Sequence, residues 1–125
     1  MNLFLADCYY EKRLAEAKVR QIGWLLPYKP LAEAGVDLTI CARNSEHLLI
    51  AAEKIKTRGV SVNAISCDIT SDQGIEKVLD AMPDPDILIN NAGGPPPGNW
   101  ENWTTEDFQE AIQANMLTPI KLIQR

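Results

Sequence analysis

The sequence predicts an α/β protein built on a doubly wound parallel sheet, and three observations carry that reading. Short apolar, partly β-branched runs alternate with segments of helical periodicity from Leu31 onward. The breaks between them are brief and carry glycine, proline or a helix-capping residue. The run at residues 86–91 (DILINN) is apolar enough through its middle for a strand buried on both faces. Strands separated by helices and short loops pack as a parallel sheet joined by right-handed crossovers.

Each element has a local cause. Residues 36–41 (VDLTIC) follow Gly35 and read as a strand. Asn44 or Ser45 caps a helix whose apolar positions Leu48, Leu49, Ala52 and Ile55 recur at helical spacing, with Gly59 as its stop. Residues 60–66 alternate apolar and polar side chains and form a second strand. Thr70 or Ser71 caps the next helix, which places Ile75, Val78, Leu79 and Met82 on one face and stops at Pro83. Residues 86–91 are the third strand, and the GGPPPG loop at 93–98 follows. Thr104 or Thr105, with Glu106 and Asp107, opens a last helix through Phe108, Ile112, Met116 and Ile120. The sequence stops inside that helix, which predicts a single incomplete domain over residues 1–125.

Composition narrows the class. A chain of 125 residues with 46% hydrophobic and 23% charged residues fits one globular domain rather than a disordered or fibrous chain. A net charge of −5 disfavours a nucleic-acid backbone or an anionic membrane as the main partner. Cys8, Cys41 and Cys67 are odd in number and lack metal-ligand spacing, and His47 is the one histidine, so neither a disulfide framework nor a metal site is expected. No stretch approaches the roughly 20 apolar residues of a membrane span. The N-terminus lacks the basic segment and apolar core of a signal peptide, so a cytoplasmic location is expected.

The strand ends carry a resemblance. In an open α/β sheet, ligands bind beyond the carboxyl ends of the strands. Those ends are Ala42-Arg43-Asn44, Cys67-Asp68-Ile69 and Asn90-Asn91-Ala92-Gly93. Together with Asn115 in the last helix, they resemble the NAD(P)-dependent short-chain dehydrogenase/reductase family over residues 31–125. The glycine- and proline-rich continuation after Asn91 is most similar to members of the 3-oxoacyl-carrier-protein-reductase type. The resemblance implies a partial Rossmann-like, NAD(P)-binding domain. It also implies hydride transfer between a small carbonyl or alcohol substrate and the nicotinamide cofactor.

Residue by residue, the resemblance implies that Asp68 accepts from the adenine amino group, with the Ile69 backbone beside it. Asn91 and the small Ala92 and Gly93 let the backbone approach the cofactor ribose. Where NAD-preferring members carry an acid, this chain has Ala42 followed by Arg43. That pair favours a 2′-phosphate, hence NADP(H) over NAD. Asn115 matches the helix asparagine that helps to hold a proton-relay water near the catalytic lysine. The last helix commonly lies at a subunit interface in such enzymes, which implies a homo-oligomer through it. The other class of function open to the chain is a non-catalytic remnant or interaction module docking through that helix.

Each residue also has a plainer role. Arg43 suits a solvated loop, Asp68 a turn or cap, Asn90 and Asn91 a turn, and Asn115 a polar helix position. His47 suits a surface helix, Trp100 and Trp103 the packing of a loop, and Cys41 and Cys67 a buried position as small hydrophobes.

Two parts of the family pattern are missing. The Thr-Gly-x-x-x-Gly-x-Gly turn, which admits a pyrophosphate to a helix N-terminus, falls by counting near residues 17–24, where Gly23 is the one glycine. The Tyr-x-x-x-Lys pair occurs nowhere in the sequence, and without its tyrosine no proton reaches the carbonyl oxygen. The isolated chain is therefore expected to be inactive and a poor cofactor binder. Residues 1–30 are atypical in content but suitable in length. Shifted codon frames permit an amphipathic Leu-Ala-Ile-Ala-Leu-Gln-Thr before Leu31 and a strand-like Val-Ile-Thr at residues 8–10. Residues 8–30 are thus expected to be read out of frame; the alternative is natural divergence with an amphipathic helix over residues 11–26. In the family's strand order the first strand lies between the second and the fourth, and residues 3–10 are a weakly patterned candidate for it. Losing that strand would leave a marginally stable sheet with an exposed edge. The coding DNA tests the frame: a shifted reading that restores the glycine-rich turn is expected, and its absence there refutes the idea.

Overall fold

The computed structural model describes the backbone of residues 2–6, and residues 28–91 and 97–124 in full. Four strands, β1 (Asn2–Ala6), β2 (Asp37–Ala42), β3 (Val62–Ser66) and β4 (Ile87–Asn90), form one parallel sheet in the order β3-β2-β1-β4. The weakly patterned N-terminal candidate thus does supply an interior strand, between β2 and β4, starting one residue earlier than expected; residues 7–10 of that candidate lie outside the described residues. Backbone pairing on both sides decides this: Leu3–Ala6 bond Leu38–Cys41 along one edge and Ile87–Asn90 along the other.

The helices are α1 (Tyr28–Glu33), α2 (Ser45–Lys56), α3 (Asp72–Ala81), α4 (Thr105–Ile112) and α5 (Thr118–Ile123). A wide π turn over Gln113–Leu117 joins α4 to α5, and a 3₁₀ turn spans Trp100–Asn102. Helix α2 starts at Asn44, whose Oδ1 accepts from the His47 amide at 3.0 Å; Gly59, at φ +82°, carries the turn beyond the helix. Ser71 caps α3 by accepting from the Gly74 amide at 3.0 Å. Thr104 and Asp107 form a reciprocal capping box at α4. Of the two cap candidates at each start, the one whose extended backbone precedes the first helical turn takes the role.

Strand β2 shows why the sheet is covered on both faces. Leu38 and Ile40 join Ala32, Val36, Leu48, Ala52 and Ile55 under α1 and α2. Cys41, two residues from buried Thr39, joins Ile65, Ile69, Ile75, Val78 and Leu122 on the side of α3 and α5. Alternate side chains point to opposite faces, so an unbroken buried run needs helices on both. Burying a side chain such as Leu38, Ile55 or Ile69 is worth roughly 1.5–3 kcal/mol each. The result is a partial Rossmann-like α/β domain.

Three expectations change. Strand β4 is half-buried rather than buried on both faces, because β1 is its partner on one side and it lies at the edge of the sheet. Leu49 is exposed, since the face of α2 that meets the sheet is set by Leu48, Ala52 and Ile55. Trp100 stands in solvent, whereas Trp103 packs edge-on against Phe108 with ring centroids 5.6 Å apart. The out-of-frame segment up to Pro27, the helix over residues 11–26 and the turn at 17–24 lie outside the described residues. So do Cys8, Ala92 and Gly93.

The approach of α3 to the end of β3 sets the tightest steric constraint. A Cβ at Gly74 would fall into the carbonyl group of Asp68 and crowd the Ser71 hydroxyl. Gly74→Ala should therefore cost about 1–3 kcal/mol, read as a lowered urea midpoint, and should shift the amide resonances of residues 68–71.

Candidate functional site

The carboxyl ends of the strands come level because β1 holds β2 and β4 in register. Ala6 pairs with both Cys41 and Asn90, so the chain leaves β2 at Arg43 and β4 at Asn91 on the same edge of the sheet. Ala42 pairs with Ser66, which puts Cys67 and Asp68 at that edge too.

Asp68 does the work of a turn residue. Its Oδ1 accepts from the Thr70 amide at 2.9 Å and the Thr70 hydroxyl at 2.7 Å. Its carbonyl accepts from the Ser71 hydroxyl at 2.7 Å. Oδ2 bonds nothing among the described residues, so the carboxylate of this exposed residue keeps one unused acceptor oxygen. The next residue, Ile69, is fully buried, so it anchors the turn in the core.

Arg43 is exposed just beyond β2, and its carbonyl accepts from the Ser66 hydroxyl at 3.4 Å, tying the ends of β2 and β3 together. Asn44 beside it is spent on capping α2. At β4, half-buried Asn91 and exposed Asn90 line a small cleft of about 30 Å³ with Ile69, Ala114, Asn115, Thr118 and Pro119. Asn115 sits inside the π turn, and its Nδ2 donates to the Ala111 carbonyl at 3.0 Å. The fold therefore brings Ile69, Asn91 and Asn115 to one cleft, while Arg43 and Asp68 stand at the ends of β2 and β3, which β1 separates from β4.

Several residues that sequence reasoning passed over hold this edge in place. Gln113 Nε2 donates to the Thr70 carbonyl at 3.2 Å, and Lys121 reaches Asp72 at 2.6 Å, so the last helix clamps the β3–α3 loop twice. Lys77 Nζ donates to the Ser66 carbonyl at 2.9 Å. Thr70, two residues after Asp68, was legible as an Asx-type turn. Gln113 and the π turn have no sequence signature, because both arise from how the helix lies across the loop. A larger cavity of about 290 Å³, lined by Tyr28, Lys29, Lys54 and Arg58 among others, lies between α1 and the end of α2. Since α2 runs back toward the start of β3, that cavity is at the opposite edge of the sheet from these residues.

Among the described residues there is no group of three or more metal-ligating side chains, and no helix is long and apolar enough to cross a membrane.

Comparison with known proteins points one way. The profile of the short chain dehydrogenase family matches residues 27–125. The chain is 29% identical over 110 residues to the rhamnolipids biosynthesis 3-oxoacyl-[acyl-carrier-protein] reductase of Pseudomonas aeruginosa, covering 85% of this chain and 42% of that one. L-sorbose reductase from Gluconobacter frateurii, solved with NADPH and L-sorbose, superposes with a TM-score of 0.71 at 20% identity, covering 98% of this chain and 44% of that one. NAD+-bound xylitol dehydrogenase gives 0.70 at 21%, covering 98% and 45%. The chain thus spans less than half the length of these proteins. At such identities the two structures speak for the fold.

The Cys67 thiol has a lowered pKa. A hydrogen bond from the Cys41 thiol lowers its pKa and outweighs burial; the Lys77 charge also lowers it, against Asp68. A lowered pKa keeps the thiolate populated further into acid. Iodoacetamide labelling of Cys67, followed by peptide mass spectrometry, should therefore persist to lower pH than labelling of an ordinary cysteine. Cys41→Ala should move that profile upward.

Proposed function

The chain belongs to the short-chain dehydrogenase family, and from that premise we propose that it is the N-terminal, cofactor-side part of an NADP(H)-dependent carbonyl/alcohol oxidoreductase. The observation that carries this reading is the common edge: Arg43, Asp68 and Asn91 end three strands of one sheet, with Asn115 at the cleft beside Asn91. The domain is read as one incomplete unit over residues 1–125, with 1–30 atypical and 31–125 family-like.

The residues present fit the adenosine side of such a cofactor. Asp68 Oδ2 is an available acceptor for an amino group, and Arg43 is an exposed cation at the strand end where a ribose 2′-phosphate would arrive. Ala42 adds no carboxylate to repel that phosphate. Asn91, with Ala92 and Gly93, is assigned to the ribose, and Asn115 to orienting a relay water. The cofactor, when bound, supplies the hydride. The pyrophosphate side fits poorly, since Gly23 is the one glycine where the turn should be. The sequence also holds no Tyr-x-x-x-Lys pair. The isolated chain is accordingly read as inactive, with a small-molecule carbonyl or alcohol as the whole enzyme's substrate and 3-oxoacyl thioesters as the favoured class. The location proposed is the cytoplasm.

A second reading, a module docking through its last helix, is favoured by the exposure of Ile112, Met116 and Ile123 at 50%, 57% and 69%. Sedimentation of the purified chain distinguishes it: concentration-dependent self-association that Met116→Lys abolishes supports docking.

NADPH titration should show no saturation below about 1 mM, the affinity equivalent of roughly −4.1 kcal/mol; micromolar binding would overturn the reading of a broken pyrophosphate turn. Adenosine 2′-phosphate should perturb the NMR signals of residues 42–44 and 68–69 more than adenosine does. Arg43→Ala should weaken that binding about tenfold, the loss of roughly 1.4 kcal/mol of charge-assisted contact. Equal responses to the two ligands would refute the NADP(H) preference.

A further inference from the structure

Thr118, the first residue of α5, is 2% exposed, yet its Oγ1 has no hydrogen-bond partner among the described residues. In a regular helix a threonine returns its hydroxyl to a carbonyl one turn earlier. Here the π turn has displaced the ladder: the Thr118 amide bonds the Gln113 carbonyl, five residues back, and the hydroxyl is left without that outlet. Thr118 lines the same cleft as Asn90, Asn91 and Asn115. Buried polar groups are almost always satisfied, by protein or by ordered water.

The size of the cleft selects the occupant. About 30 Å³ is room for one water and for no cofactor group. The lining is also right for water, with a hydroxyl and asparagine amides supplying donors and acceptors. No carboxylate is among the lining residues, so a hard cation would find too few oxygen ligands. An apolar group would leave the hydroxyl unpaired.

We propose that Thr118 is a positioning residue whose hydroxyl holds one ordered water, and that this water bridges to Asn91 at the end of β4. The bridge joins the π turn to the sheet. Asn115, carried on that turn, is thereby held at a fixed distance from Asn91. A bridging water is nearly as favourable as a direct hydrogen bond and tolerates the wider spacing that the π turn creates. The bearing of this water on the cofactor rests on the function proposed above; the water itself does not.

Crystal structures of the whole chain and of two variants test it. The native chain and Thr118→Ser should show a water within hydrogen-bond distance of the residue-118 hydroxyl and of Asn91. Thr118→Val, which keeps the shape and removes the hydroxyl, should lose it. The side-chain amide NMR signals of Asn91 and Asn115 should shift in the valine variant and return in the serine variant, a pattern that packing alone does not produce. A Thr118 hydroxyl bonded to the Ala114 carbonyl, or a valine variant that keeps the water and the native signals, would overturn the proposal. If the valine variant fails to fold, the native and serine structures still decide. NADPH titration of the native chain and both variants is read separately. Micromolar NADPH binding in all three would count against the reading of a broken pyrophosphate turn while leaving the water to the crystallographic result.

Discussion

Backbone pairing of β1 on both sides is the constraint on which the rest of the structure depends. Five residues, Asn2–Ala6, bond β2 along one edge, and four of them bond β4 along the other. In a parallel sheet the slanted hydrogen bonds fix where each strand ends relative to its neighbours. Registering Ala6 against Cys41 and Asn90 places Arg43 and Asn91 on one edge. Without that strand, β2–β3 and β4 would have no shared hydrogen-bonding neighbour, and the residues at their ends no common frame.

At that edge, the groups that shape the loops are also the groups assigned to binding. Asp68 uses one oxygen and its carbonyl to close the turn over Thr70 and Ser71, and Gly74 lets α3 come close enough for this to happen. The second oxygen bonds nothing among the described residues. The last helix then presses the loop down through Gln113 and Lys121. The Lys121–Asp72 pair is exposed and contributes little by itself; its role is to fix direction. A turn tied down in this way loses little further freedom when a ligand arrives, which is what preorganisation requires.

The structure realises the plainer roles and leaves room for the functional ones proposed. Asp68 is a turn residue and Asn44 a cap, as their types predict, and each role leaves the neighbouring position available. Helix starts were legible because capping is local chemistry: Asn44, Ser71 and Thr104 each bond an amide within three residues. The strand at β1 was only faintly legible, because its pattern is weak and its stability comes from neighbours about 35 and 84 positions away in the chain. Nor was the half-burial of β4, since a run of Ile-Leu-Ile has the same composition at the edge of a sheet as at its centre.

The sequence by itself determined the alternation of strands and helices, the caps, and the Asn90-Asn91 and Asp68-Ile69 strand ends, because each depends on side chains within a few residues. Only the tertiary structure decided that Asn2–Ala6 supplies the strand between β2 and β4, that Gln113 reaches Thr70, and that the helix opens into a π turn around Asn115. It also decided that Thr118 is buried with its hydroxyl unpaired at the cleft. Those features depend on distances between segments far apart in the chain, and such distances are set by the packing of helices on both faces of the sheet rather than by local propensity.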